Sequence, residues 1–152
     1  MEQKFYMMCG PAGSGKSTIA QRVVDEQGDD AILISTDQIR KDFFGSEETQ
    51  AHNGEVFDIA RTMVQTSLAL GFQYVIFDAT NLTPRYRKTV LNWLEGSNCV
   101  RIAVAVNPGF EVCCARNKAR SRHIPEDVIR RQCDRYVEPT EEEGFDAVLV
   151  YS

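Results

Sequence analysis

Gly10-Pro11-Ala12-Gly13-Ser14-Gly15-Lys16-Ser17 is the stretch whose reading decides the fold. It matches the spacing G-x-x-x-x-G-K-[ST] in full. An apolar run, Phe5–Cys9, precedes it, and a helical pattern, Lys16–Glu26, follows. Glycines let the backbone curl until consecutive N–H groups face one centre, a geometry suited to phosphate oxygens. The helix that begins near Lys16 adds the positive end of its dipole to the same centre. The stretch predicts a phosphate cradle for ATP with magnesium. In it Lys16 neutralises the outer phosphates and Ser17 offers its hydroxyl to the metal. Gly10, Ala12, Gly13, Ser14, Gly15, Lys16, Ser17 and Thr18 form the expected nucleotide-binding set.

Outward from the loop, short apolar runs alternate with helical patterns. Phe5–Cys9, Ala31–Ser35, Tyr74–Phe77, Val100–Val106 and Ala147–Tyr151 are rich in β-branched and aromatic residues. They lack polar alternation, so they read as strands buried on both faces of a parallel sheet. Helices are expected over Lys16–Glu26, Asp37–Phe44, Glu55–Leu70, Pro84–Glu95, Phe110–Arg120 and Pro125–Val137. Gly71 suits a helix C-terminus, and Thr83 before Pro84 suits an N-terminus. The alternation predicts an α/β fold: one domain over residues 1–152, about five parallel strands, helices on both faces and right-handed crossovers. Ligands in such folds bind at the carboxyl ends of the strands.

Composition narrows the function classes. Hydrophobic residues make up 43% and charged residues 26%, a globular rather than a disordered balance. No apolar stretch approaches the roughly 20 residues of a membrane span, and the first residues show no signal-peptide pattern, so a cytoplasmic protein is expected. Five cysteines without metal-like spacing read as reduced thiols. The net charge of −5 is uneven: residues 85–135 carry eleven Lys or Arg against five acids, giving +6 there and −11 elsewhere. This distribution suits a site that gathers a few phosphates better than a general nucleic-acid coat.

The second apolar run leads into Ser35-Thr36-Asp37-Gln38-Ile39-Arg40. Phosphoryl transfer needs an acceptor hydroxyl aligned and relieved of its proton, and Asp37 at a strand end fits that task. A plain helix N-cap is the alternative role for Asp37. Arg40 lies one helical turn on, along the same face. Val75-Ile76-Phe77-Asp78 is an apolar strand ending in an acid, the form expected of a magnesium-associated carboxylate. Asn81 and Arg85 follow on the expected acceptor side, with Asp78. Further on, Arg116-Asn117-Lys118-Ala119-Arg120-Ser121-Arg122-His123 concentrates positive charge, with Arg116 and Arg120 four residues apart on one helical face.

Taken in order, G-x-x-G-S-G-K-S, S-T-D-Q-I-R, F-D-A-T-N-L and R-N-K-A-R resemble the polynucleotide 5′-hydroxyl kinase domains of phage and bacterial repair enzymes. They are also similar to the wider group of small P-loop kinases, which includes zeta-toxin-like and seryl-tRNA kinase-like proteins. The resemblance implies an adenylate-kinase-like fold with a small arginine lid. It implies Asp37 as general base, Arg40 on the phosphate 3′ of the acceptor nucleoside, and Arg120 and Arg116 over the donor phosphates. Catalytic roles then fall to Asp37, Lys16 and Arg120, and metal contacts to Ser17 and Asp78.

Three readings remain open on the sequence. The first is an ATP-dependent kinase of nucleic-acid 5′-hydroxyl ends, with DNA or RNA as its partner. The second is a kinase of a small metabolite, an antibiotic or an aminoacyl-tRNA. The third is a nucleotide-binding switch without transfer, against which Asp37 counts. Oligomeric state is not encoded in any of these signals.

Overall fold

The computed structural model describes residues 2–46, 51–120 and 124–152. Strand β1 (Lys4–Cys9) runs into the glycine-rich loop, and α1 (Lys16–Gln27) leaves it. β2 (Ala31–Ser35), α2 (Thr36–Phe44) and α3 (Asn53–Ala69) come next. β3 (Tyr74–Asp78), α4 (Pro84–Asn92), β4 (Val100–Val106), α5 (Phe110–Lys118), α6 (Glu126–Arg135) and β5 (Ala147–Tyr151) complete the order. The strands form one five-stranded sheet in the order β2-β3-β1-β4-β5, with every pairing parallel.

The register fixes where the site lies. Asp78 pairs with Met8 of β1 on one side and with Ser35 of β2 on the other. Three chain segments therefore finish at one level, and the loops that follow them open into the same space.

Two apolar layers hold the helices to the sheet. Phe5, Met7, Cys9, Ile34, Val75, Phe77 and Ala103 face Ile39 of α2, the Val56-Ala60-Val64 stripe of α3, and Val90 and Leu91 of α4. Met8, Ile76, Ile102, Val104 and Val106 face Ala20 of α1 on the opposite side. The stripe on α3 follows helical spacing, as read from the sequence. A third cluster joins Ala12 of the loop to Cys113 and Cys114 of α5 and Ile129 of α6. All five cysteines carry free thiols.

Several boundaries differ from the sequence reading for local reasons. β3 extends one residue to include Asp78, because the ladder to β2 continues through the Ser35 pair. α5 stops at Lys118 rather than Arg120, because the Asn117 side chain bonds both the N–H and the carbonyl of Ile124 and turns the chain back. α4 gives way after Asn92 to tighter i→i−3 bonds at Trp93 and Leu94. β5 departs from the expectation of strands buried on both faces: Leu149, Val150 and Tyr151 are exposed, because β5 is an edge of the sheet. Among the described residues, no helix is long and apolar enough to cross a membrane.

Candidate active site

The glycine-rich loop takes its shape from close contacts. Gly13 has φ +81, and a Cβ there would lie 2.4 Å from the Cys113 carbonyl oxygen, so only glycine fits. Gly15, in the left-handed region, serves as the N-cap of α1. The Gly10 N–H donates to the Thr80 carbonyl at 2.8 Å, which ties the loop to the segment after β3. Lys16 is buried and donates from Nζ to the Pro11 carbonyl at 3.3 Å, which keeps its ammonium folded over the loop.

One cleft of about 640 Å³ collects most of the predicted site residues: Ala12, Lys16, Ser17, Asp37, Arg40, Asp78, Asn81 and Arg120. The Ser17 hydroxyl donates to Asp78 Oδ2 at 2.6 Å. Asp78 is itself buried, and its Oδ1 has no hydrogen-bond partner among the described residues. A buried, half-satisfied carboxylate beside a hydroxyl is a hard oxygen donor set, and it fits a magnesium ion held together with phosphate oxygens.

Asp37 stands on the first turn of α2. The cap of that helix is Ser35, whose side chain accepts from the Gln38 N–H at 3.2 Å, so Asp37 is not the N-cap. Its Oδ1 is paired with Arg40 Nη1 at 3.2 Å, and the Asp37 side chain remains partly exposed to the cleft. Arg40 is buried and held at its other end by Asn53, which accepts from Nη2 at 2.9 Å. Arg40 Nε is buried without a partner among the described residues. The guanidinium thus holds the carboxylate while its Nε–H stays unspent among the described residues.

Other predicted residues take different places. Asn81 lines the cleft, yet it has φ 44 and its side-chain amide donates to the Met8 carbonyl at 2.7 Å, so it braces the loop against β1. Asparagine tolerates this left-handed backbone better than most residues. Arg116 is exposed, donates to the Ser14 carbonyl of the loop and is not part of the cleft lining. Thr18 is exposed on α1 outside the cleft, and Arg85 is exposed on the first turn of α4 and does not reach it. Ser121, Arg122 and His123 of the basic cluster lie outside the described residues.

The structure adds residues that the sequence reading missed. Thr36, Asn53, Phe57 and Tyr86 line the cleft, as do Arg131, Gln132 and Arg135 of α6. Gln132 Oε1 accepts from the Ala12 N–H at 2.8 Å, which commits one loop amide to α6. Arg87, fully buried, chelates Glu143 through Nε at 2.7 Å and Nη2 at 3.0 Å and donates to the Asn81 carbonyl. Arg131 and Arg135 belong to the basic stretch 85–135, and a count of charges does not say which way their helix faces.

Comparison with known proteins agrees with this fold. The sequence model of the AAA domain family matches residues 5–139. A chain in a structure of the Pnkp1/Rnl/Hen1 RNA repair complex superposes with a TM-score of 0.73 at 16% identity, over 88% of this chain and 44% of that one. A gluconokinase from Sinorhizobium meliloti 1021 superposes with a TM-score of 0.61 at 18% identity, over 97% of this chain and 81% of that one. Kti12 from Chaetomium thermophilum, in complex with ADP-AlF3, superposes with a TM-score of 0.69 at 16% identity, over 97% and 88% of the two chains. The chain therefore spans less than half the length of the RNA repair chain that it matches. At these identities the likeness establishes the fold alone.

Proposed function

The chain belongs to the AAA domain family, and from that premise we propose that it transfers the γ-phosphate of ATP to a hydroxyl, the acceptor being the 5′ end of a DNA or RNA strand. The observation that carries this reading is the Asp37–Arg40 pair, which opens into the same cleft as Lys16, Ser17 and Asp78. A module that only binds nucleotide has no use for a carboxylate so held. Kti12 with ADP-AlF3 supports a nucleotide in the loop, and the chain of the RNA repair complex supports a nucleic-acid acceptor.

In this reading the loop amides and Lys16 bind and orient the donor phosphates. Ser17 and Asp78 hold magnesium, which when bound neutralises charge on the phosphate oxygens. Asp37 accepts the proton of the attacking hydroxyl, and Arg40 keeps the carboxylate aimed. Arg120, on the cleft wall, supplies positive charge toward the transferred group. The gluconokinase likeness favours a second reading, a sugar or other small-metabolite acceptor on the same scaffold.

Labelled ATP, magnesium and a panel of 5′-hydroxyl oligonucleotides, nucleosides and sugars test the proposal. Label on the oligonucleotides is the expected result. Label confined to a sugar selects the second reading, and no transfer to any acceptor rejects both.

A further inference from the structure

Three exposed side chains line the same cleft as Asp37: Tyr86, Arg131 and Arg135. Tyr86 is 59% exposed although its N–H is fixed by the Thr83 side chain. Arg131 and Arg135 stand one turn apart on α6 and make no ion pair among the described residues. Their neighbour Arg130 is already used, its guanidinium lying 3.6 Å over the Phe110 ring. The Val137 N–H donates to the Leu82 carbonyl at 2.9 Å, which pins the end of α6 beside the start of α4. An open aromatic ring and two uncompensated guanidinium groups are thereby gathered at one edge of the cleft, in a chain whose net charge is −5.

A flat apolar surface beside two spaced cations matches a repeating partner of bases and phosphates. A sugar offers neither a stacking face of that size nor a second anion. A base in a duplex is already stacked and turned away from such a ring. Resting on the polynucleotide reading above, we propose that Tyr86, Arg131 and Arg135 form the landing strip for a single-stranded acceptor. A base near the 5′ end stacks on Tyr86, and phosphates further along the strand pair with the two arginines.

The test compares phosphorylation of a nucleoside 3′-phosphate, a dinucleotide and a hexamer, the last also annealed as a blunt duplex. The wild-type kcat/KM is expected to rise with length and to fall for the duplex. Arg131→Ala/Arg135→Ala and Tyr86→Ala should each lose about tenfold more on the hexamer than on the nucleoside 3′-phosphate, mainly through KM, and Tyr86→Trp should restore stacking. The slope of log affinity for the hexamer against log salt should shrink by about one for the double arginine variant.

Rates independent of length, equal losses on all acceptors, or equal use of the duplex would overturn the strip while leaving a nucleotide kinase standing. Failure of every nucleotide acceptor, with a sugar labelled instead, would overturn the polynucleotide reading and the strip with it.

Discussion

The Ser17 hydroxyl and Asp78 Oδ2 meet at 2.6 Å, joining the first turn of α1 to the last residue of β3. The two motifs are 61 residues apart in sequence and adjacent only because β1 and β3 are neighbouring parallel strands. The contact leaves Asp78 Oδ1 without a partner among the described residues, so the carboxylate retains an acceptor for a ligand.

Asp78→Asn keeps the shape of that side chain and removes its charge. The magnesium concentration for half-maximal activity should rise roughly 10–100-fold. A magnesium titration of the initial rate checks this, and an unchanged midpoint would detach Asp78 from the metal.

Arg40→Ala should damage two functions at once, since the guanidinium aims Asp37 and keeps Nε unspent. Turnover should fall with every acceptor. The loss should be greater for a nucleoside 3′-phosphate than for the plain nucleoside, because a guanidinium recognises phosphate with paired donors. Asn53→Ala should reproduce the aiming defect more mildly, by up to about 10²-fold in kcat, with ATP affinity kept. Parallel kinetics on the two acceptors separate these effects.

Arg87 and Glu143 form a buried bidentate pair that braces the Asn81 carbonyl. Arg87→Ala takes the countercharge from Glu143, which is partly buried and still accepts from the Thr140 N–H, and should lower unfolding free energy by about 1.5–3 kcal/mol. Denaturant unfolding measures the change. A loss below about 1 kcal/mol would mean that the pair adds nothing beyond an exposed one.

Burial pushes the Cys9 thiol from 9.0 up to about 12. Above pH 9 the unfolded chain releases this proton while the folded protein keeps it, so the unfolded state binds fewer protons and stability falls as pH rises from about 9 to 12. Unfolding followed across that window should show the decline, and Cys9→Ala should flatten part of it. An identical decline in the variant would remove Cys9 as a source.

Much of this architecture was legible in the residues. The glycine loop named its own strand and helix, and five apolar runs gave all five strands. What periodicity does not carry is direction. Arg85 and Arg116 have the charge of ligands, but the spacing does not say that Arg85 stands exposed outside the cleft lining or that Arg116 donates to the Ser14 carbonyl of the glycine loop. Asn81 is named by its motif, but its amide is committed to the Met8 carbonyl, a contact set by the strand order. Tyr86 was passed over, and Arg131 and Arg135 were read only as part of the basic stretch, for the converse reason. Their charge is visible but their direction is not, and the bond from Val137 to Leu82 that sets the end of α6 beside α4 joins distant parts of the chain.

The central claim is that Asp37 serves the acceptor rather than the donor. Single-turnover transfer from labelled ATP to a 5′-hydroxyl oligonucleotide, read beside ATP affinity for wild type and Asp37→Asn, tests it most directly. The account predicts a rate at least about 10²-fold lower with ATP affinity unchanged. A near-normal rate, or an equal loss of ATP affinity, would contradict it.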